Sequence, residues 1–161
     1  MMKKFLKIIV VSLLVLVLSA CSSRFDNLDV THDSQTIAAG GSLDIPVDKV
    51  TENANFFPVV VDGTRMEVLA VKVDGEVRTA FNTCQICNGQ PRAYFVQDRR
   101  MIQCLACGNK YQLDIVEVDS GGCSPIPIKG DSKTVTADAV SISYETLQAG
   151  IQYFPANWKT D

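Results

Sequence analysis

Four of the six cysteines in this 161-residue chain fall in two matched pairs, Cys84-Gln85-Ile86-Cys87 and Cys104-Leu105-Ala106-Cys107, with 16 residues between them. Two residues between cysteines let one tight turn aim both sulfurs at a single point. Two such turns, brought together by a hairpin, close a tetrahedral four-sulfur site suited to iron or zinc. Gly108 follows the second pair and Gly89 stands two residues after the first. Glycine there lets backbone N–H groups turn inward toward the sulfurs. The spacing makes Cys84, Cys87, Cys104 and Cys107 the candidate ligands. Cys123, between Gly121-Gly122 and Pro125, is either a fifth or alternative ligand or a buried unreactive thiol, and Cys21 is left over.

Cys21 has its own context. Lys3, Lys4 and Lys7 form a basic start, and Ile8 to Leu18 is apolar apart from Ser12. That run is short for a spanning helix of about 20 residues but has the layout of an export signal. Leu18-Ser19-Ala20-Cys21 resembles the lipobox of bacterial lipoproteins, in which cleavage leaves the cysteine as the lipid-bearing first residue. An ordinary signal peptide cut near Ala20, or an uncleaved anchor, is the alternative. The expected organisation is a signal peptide over 1–20, a lipidated cysteine and polar tether over 21–36, and one metal-binding domain over 37–161. The domain would lie outside the cytoplasm in the cell envelope, anchored to the membrane by lipid rather than spanning it.

Charge and histidine count remove several classes of function. Loss of the signal would remove three lysines, leaving 12 cationic side chains against 18 acidic ones and moving the formal charge from −3 to −6. No basic stripe is left to neutralise a phosphate backbone, so nucleic acid is not an expected partner. The single histidine, His32, falls in the polar stretch from Ser22 to Thr36 and reads as a solvated linker residue. One tether histidine cannot build a Ser-His-Asp or Cys-His arrangement. No catalytic acid–base pair can be nominated, which favours an accessory metal-binding or electron-transfer protein over an enzyme. Met66 and Met101 could suit copper, but each lies within a strand pattern and reads as core.

The elements that must position the cysteines read as short strands. Leu43 to Val50 alternates apolar and polar residues; Phe56 to Val61 ends at Asp62-Gly63, and Met66 to Val73 ends at Asp74-Gly75, both hairpin dipeptides. Glu76 to Phe81 leads into the first cysteine pair. Ala93 to Gln97 and Arg100 to Gln103 can pair about Asp98-Arg99 and deliver the second, and Tyr111 to Val118 leaves it. Pro125 and Pro127 forbid a central strand and favour an extended edge or loop. Ala139 to Ile142 is a last strand, followed by a short helix with Ser143 as N-cap and Gly150 as its stop. Tyr153, Phe154 and Trp158 read as core aromatics.

Three separate stretches carry a resemblance: Ala80-Phe81-Asn82-Thr83-Cys84-Gln85-Ile86-Cys87, Gln103-Cys104-Leu105-Ala106-Cys107-Gly108, and Gly121-Gly122-Cys123-Ser124-Pro125-Ile126-Pro127. With Phe56-Phe57 and Tyr94, they resemble the FtrD-like family of membrane iron-sulfur proteins over about half of the chain. The resemblance implies an extracytoplasmic metal- or iron-sulfur-binding module that accompanies iron permeases, with Cys84, Cys87, Cys104, Cys107 and Cys123 as functional residues. A weaker resemblance concerns fold. Met101 to Asp114, followed by Gly121 and Pro125 to Pro127, looks like the second half of a Rieske domain, but with cysteine where a Rieske loop has histidine. The expected fold is a small, mainly antiparallel β-domain, Rieske-like or zinc-ribbon-like, with two Cys-x-x-Cys knuckles and a short C-terminal helix.

Three functions fit these residues. In the first, the cysteines hold iron or an iron-sulfur centre that passes electrons, or handles iron, beside an iron permease or a redox partner. Arg92, Arg99, Arg100 and Lys110 lie close enough in sequence to offset the thiolate charge. In the second, they bind zinc to hold a binding module together, a site that supplies about 10 kcal/mol or more toward folding. In the third they exchange thiols and disulfides with Cys123 attacking or resolving. Cys-x-x-Cys usually does that at a helix N-terminus in a βαβ setting, and none is evident here.

Overall fold

The computed structural model describes residues 30–118 and 121–160; the expected signal peptide and Cys21 lie outside them. Twelve strands and one short helix make up the described chain: β1 (Val30–Thr31), β2 (Gln35–Thr36), β3 (Ser42–Pro46), β4 (Asn55–Val61), β5 (Thr64–Val73), β6 (Glu76–Cys84), β7 (Phe95–Asp98), β8 (Met101–Cys104), β9 (Lys110–Gln112), β10 (Pro125–Pro127), β11 (Thr134–Val135), β12 (Ala139–Ser143) and α1 (Tyr144–Gly150). The expectation of a mainly β domain with a short C-terminal helix holds.

The central sheet has the order β1-β4-β5-β6-β10, with β2 also on β4. Its two long hairpins turn where the aspartate–glycine pairs fall. Asp62 and Gly63 have φ of 49° and 77°, and Asp74 and Gly75 have 51° and 86°. Positive φ at both central residues matches the right-handed twist of the flanking strands. Strand β5 is buried on both faces from Met66 to Val71, which is why its apolar residues run on rather than alternate.

Each face of this sheet carries a three-stranded sheet. On one face Phe57, Val59, Met66, Val68 and Phe81 pack with Leu43 and Ile45 of β3, Val140 and Ile142 of β12, and Leu147 of α1. On the other, Phe56, Leu69, Val71, Ala80 and Cys84 pack with Ala93, Phe95, Ile102 and Cys104 of the β7-β8-β9 layer and its approach. Alternation along β4 and β6 sends Phe56 and Cys84 to the face opposite Phe57 and Phe81. The cysteines thus belong to one layer, and the helix and terminal aromatics to the other. Phe154 and Trp158 are buried as expected, at 5% and 3% exposure.

Several local expectations give way to packing. The strand expected over Leu43 to Val50 ends at Pro46 and becomes a 3-10 turn over Val47–Lys49. The strand expected over Tyr111 to Val118 is only β9, followed by a 3-10 turn over Leu113–Ile115. Leu113 and Val116 are both buried, and their spacing of three is that of a turn rather than a strand. Ser143 does cap α1, its Oγ accepting the Thr146 N–H at 3.3 Å. Gly150 is not a left-handed stop, because its φ is −74° and the chain continues into a 3-10 turn over Ile151–Tyr153. A Cβ there would lie 2.4 Å from the Phe81 ring, so close approach requires the glycine.

The stretch Val30 to Thr36, read as the end of a tether, runs along the edge of the central sheet as β1 and β2, parallel to β4. His32 is correspondingly not a solvated linker residue. Its ring stacks on Phe57 at 4.0 Å and 7°, and its backbone N–H donates to the Phe56 carbonyl at 2.8 Å. The exposed edge of β4 offers unpaired backbone groups, and the polar segment satisfies them.

Candidate metal centre

Strand β6 ends on Cys84, so the first knuckle is a direct continuation of the central sheet. The Asn88 N–H donates to the Cys84 carbonyl at 2.8 Å, and the Gln90 N–H donates to the Cys87 carbonyl at 3.1 Å. Strand β8 ends on Cys104, and the Gly108 N–H donates to the Cys104 carbonyl, again at 2.8 Å. Gly89 and Gly108 have φ of 84° and 76°, as a chain doubling back after a knuckle requires.

A third segment completes the site. Gly121 and Gly122, with φ of 120° and 60°, lead into Cys123-Ser124-Pro125. The Gln85 N–H donates to the Ser124 carbonyl at 3.0 Å, and Gln85 Nε2 donates to Ser124 Oγ at 3.1 Å and to the Pro125 carbonyl at 3.3 Å. Ser124 Oγ donates to the Gly121 carbonyl at 2.9 Å, and the Cys84 thiol points to the Cys123 carbonyl at 3.4 Å. Strand β10 then pairs with β6 at the sheet edge, where the two prolines are tolerated. Gln85 had no evident role in the sequence; its position between two cysteines was the available signal.

The sulfurs of Cys84, Cys87, Cys107 and Cys123 all lie within 4.8 Å of one another. Cys104 lies beside this quartet, near Cys87 and fully buried. The β7–β8 register places Cys104 opposite Phe95, with its side chain in the apolar layer. Cys84 and Cys87 are buried, Cys123 is half-buried and Cys107 is exposed. All five are free thiols. Tetrahedral coordination at a metal–sulfur distance of about 2.3 Å sets sulfurs about 3.8 Å apart, so the quartet needs little contraction to hold one ion.

Burial pushes the Cys84 thiol up to about 12 and the Cys87 thiol up to about 11. Backbone N–H groups of Cys87 and Ile86 pull Cys84 the other way, but desolvation is larger. Such thiols hold their protons until a cation replaces them. The Tyr111 phenol is also raised above its ordinary value, first by burial and then by the neighbouring Cys123, Cys84 and Cys107. This places Tyr111 against the quartet, a position that a strand pattern does not reveal.

Only one of the four candidate cations lies in a knuckle loop. Arg99 and Arg100 lie at the β7–β8 turn, the end of the hairpin away from Cys104. Lys110 is ion-paired with Asp98 and holds that carboxyl below its ordinary range. Arg92 stands exposed after the first pair. His32 stacks on the opposite face of the central sheet, away from the cysteines.

The fold and site define a small β protein with a candidate four-sulfur metal centre drawn from three loops. The chain belongs to the FtrD-like family, membrane iron-sulfur containing proteins, whose family model matches residues 50–154. No curated protein and no solved structure matches it. The matched residues contain all five thiols of the two knuckles and the third segment. No helix among the described residues is long and apolar enough to cross a membrane.

Proposed function

We propose that this protein is a lipid-anchored, extracytoplasmic iron or iron-sulfur protein that transfers electrons or handles iron beside an iron-uptake system. One observation carries the reading: four thiols of a membrane iron-sulfur family member lie within 4.8 Å of one another. Cys84, Cys87, Cys107 and Cys123 are the residues that would hold the metal. A bound iron would supply one-electron chemistry. The chain's own part is to bury two ligands in an apolar layer, which excludes water, and to leave Cys107 at the surface, which shortens the path to a partner. The absence of histidine from the quartet favours a low potential, because all-cysteine ligation supplies more negative charge than ligation shared with histidine.

The test is anaerobic purification of the full chain in detergent, followed by elemental analysis and a visible absorption spectrum. Iron with visible bands that bleach on dithionite is the expected result, and the ratio of iron to inorganic sulfide separates a single ion from a cluster. One colourless zinc per chain would replace this reading with a structural module. Metal-free protein with disulfides would replace it with thiol exchange.

A further inference from the structure

The C-terminal segment makes contacts that core packing does not call for. Lys159 Nζ donates to both carboxylate oxygens of Glu67 at 2.9 Å, and Glu67 is only 2% exposed. The same ammonium lies 5.6 Å from the Phe56 ring centre, 5.3 Å from that of Tyr94 and 5.7 Å from that of Trp158. Aromatic faces and a buried carboxylate together hold a cation firmly. The Lys159 backbone has a φ of 54°, a left-handed conformation that a lysine keeps only where its surroundings enforce it.

This network leads to both knuckles. Asn82 Nδ2 donates to Glu67 Oε1 at 2.7 Å and to the Phe95 carbonyl at 3.2 Å, while Asn82 Oδ1 accepts the Phe95 N–H at 2.9 Å. Asn82 stands two residues before Cys84, and Phe95 pairs with Cys104. The Lys159 N–H donates to the Pro91 carbonyl at 2.8 Å, in the loop after the first knuckle. Trp158 meets Tyr94 edge to face at 5.9 Å, and the Tyr94 carbonyl accepts the Leu105 N–H of the second knuckle at 2.9 Å. A groove lined by Pro91 and Arg92 of the first loop, Leu105 and Ala106 of the second, and Asn157 and Thr160 of the tail marks the same junction.

We infer that residues 155–160 form a strap, with Lys159 as a positioning residue that fixes the two cysteine knuckles relative to each other for metal binding. Trp158 anchors the strap in the core on one face of the central sheet, and Lys159 reaches Glu67 on the face that bears the cysteines. The inference rests on the metal-binding reading above. Residues that orient metal ligands typically change metal affinity 10–100-fold when replaced, without touching the ion.

Cobalt(II) titration of the reduced full chain in detergent, followed by thiolate-to-cobalt absorption, tests the strap. Lys159→Met should weaken cobalt binding by roughly tenfold or more and alter the absorption bands, while Lys159→Arg keeps both close to wild type. Because Lys159→Met leaves a buried carboxylate unpaired, it is compared with Glu67→Gln/Lys159→Met, which has no uncompensated charge. The double variant should regain thermal stability yet remain weak in cobalt binding. Wild-type cobalt affinity and spectrum in the double variant would overturn the strap and leave the metal site standing. A wild-type chain that takes up no cobalt would overturn the metal reading, and the strap as a metal-site device with it.

Discussion

A thiol buried in an apolar layer keeps its proton, and this makes the cysteines of the centre pH-sensitive when metal-free. Cys84 and Cys87 are raised to about 12 and about 11 in the folded chain, against an ordinary value of 9.0. Below about pH 9 both folded and unfolded states retain these protons, and the contribution to stability is constant. Above it the unfolded chain ionises first, so stability falls as the pH rises toward the folded values. The urea midpoint of reduced, metal-free protein is expected to drop once the pH passes about 9; a flat profile would contradict the burial argument. Cys104, inside the matched pattern but outside the quartet, and Cys123, outside the pattern but within the quartet, also separate by experiment. Cys104→Ser places a hydroxyl in an apolar layer and should cost about 1–3 kcal/mol while metal content is retained. Cys123→Ser should lower metal content with little change in apo stability. Elemental analysis with urea melts reads both, and the reverse result would give Cys104 the ligand role.

Among the elements, α1 shows how far packing overrides propensity. Alanine is a better helix former than glycine by about 1 kcal/mol, so propensity alone would make Gly150→Ala stabilising. The Phe81 ring would stand 2.4–3.0 Å from the new Cβ, and overpacking of that kind typically costs about 1–3 kcal/mol. Thermal melts should therefore show a destabilised variant. A Tm at or above wild type would mean that the helix or the ring can shift freely. The same strand carries Phe81 on one face and Cys84 on the other, so what seats α1 also seats the start of the first knuckle.

For the whole molecule, the central sheet separates two jobs. One face buries the helix and the terminal aromatics, and the other carries the cysteines, with the C-terminal segment joining the two. The proposed lipid attachment falls on Cys21, outside the described residues. In membrane fractionation, Cys21→Ala is expected to move the protein out of the membrane fraction. Unchanged anchoring with the signal removed would exclude lipid at that residue.

The sequence by itself determined what depends on local geometry. Aspartate–glycine pairs marked the two long hairpins because few other residues accept positive φ at both turn positions. Cys-x-x-Cys spacing marked the knuckles because each is a single turn, and Pro125 and Pro127 marked an extended edge or loop because proline has no backbone N–H to give a sheet ladder. The tertiary structure decided what depends on register between distant strands. It placed Cys123 in the quartet and Cys104 beside it, because the pairing of β7 with β8 turns Cys104 into the apolar layer while β10 delivers Cys123 to the first knuckle. It laid the segment from Val30 to Thr36 along β4, brought Tyr111 to the sulfurs, and carried Lys159 to Glu67, 92 residues away in sequence. No local period or motif fixes any of these placements, since each is set by which strand edges meet.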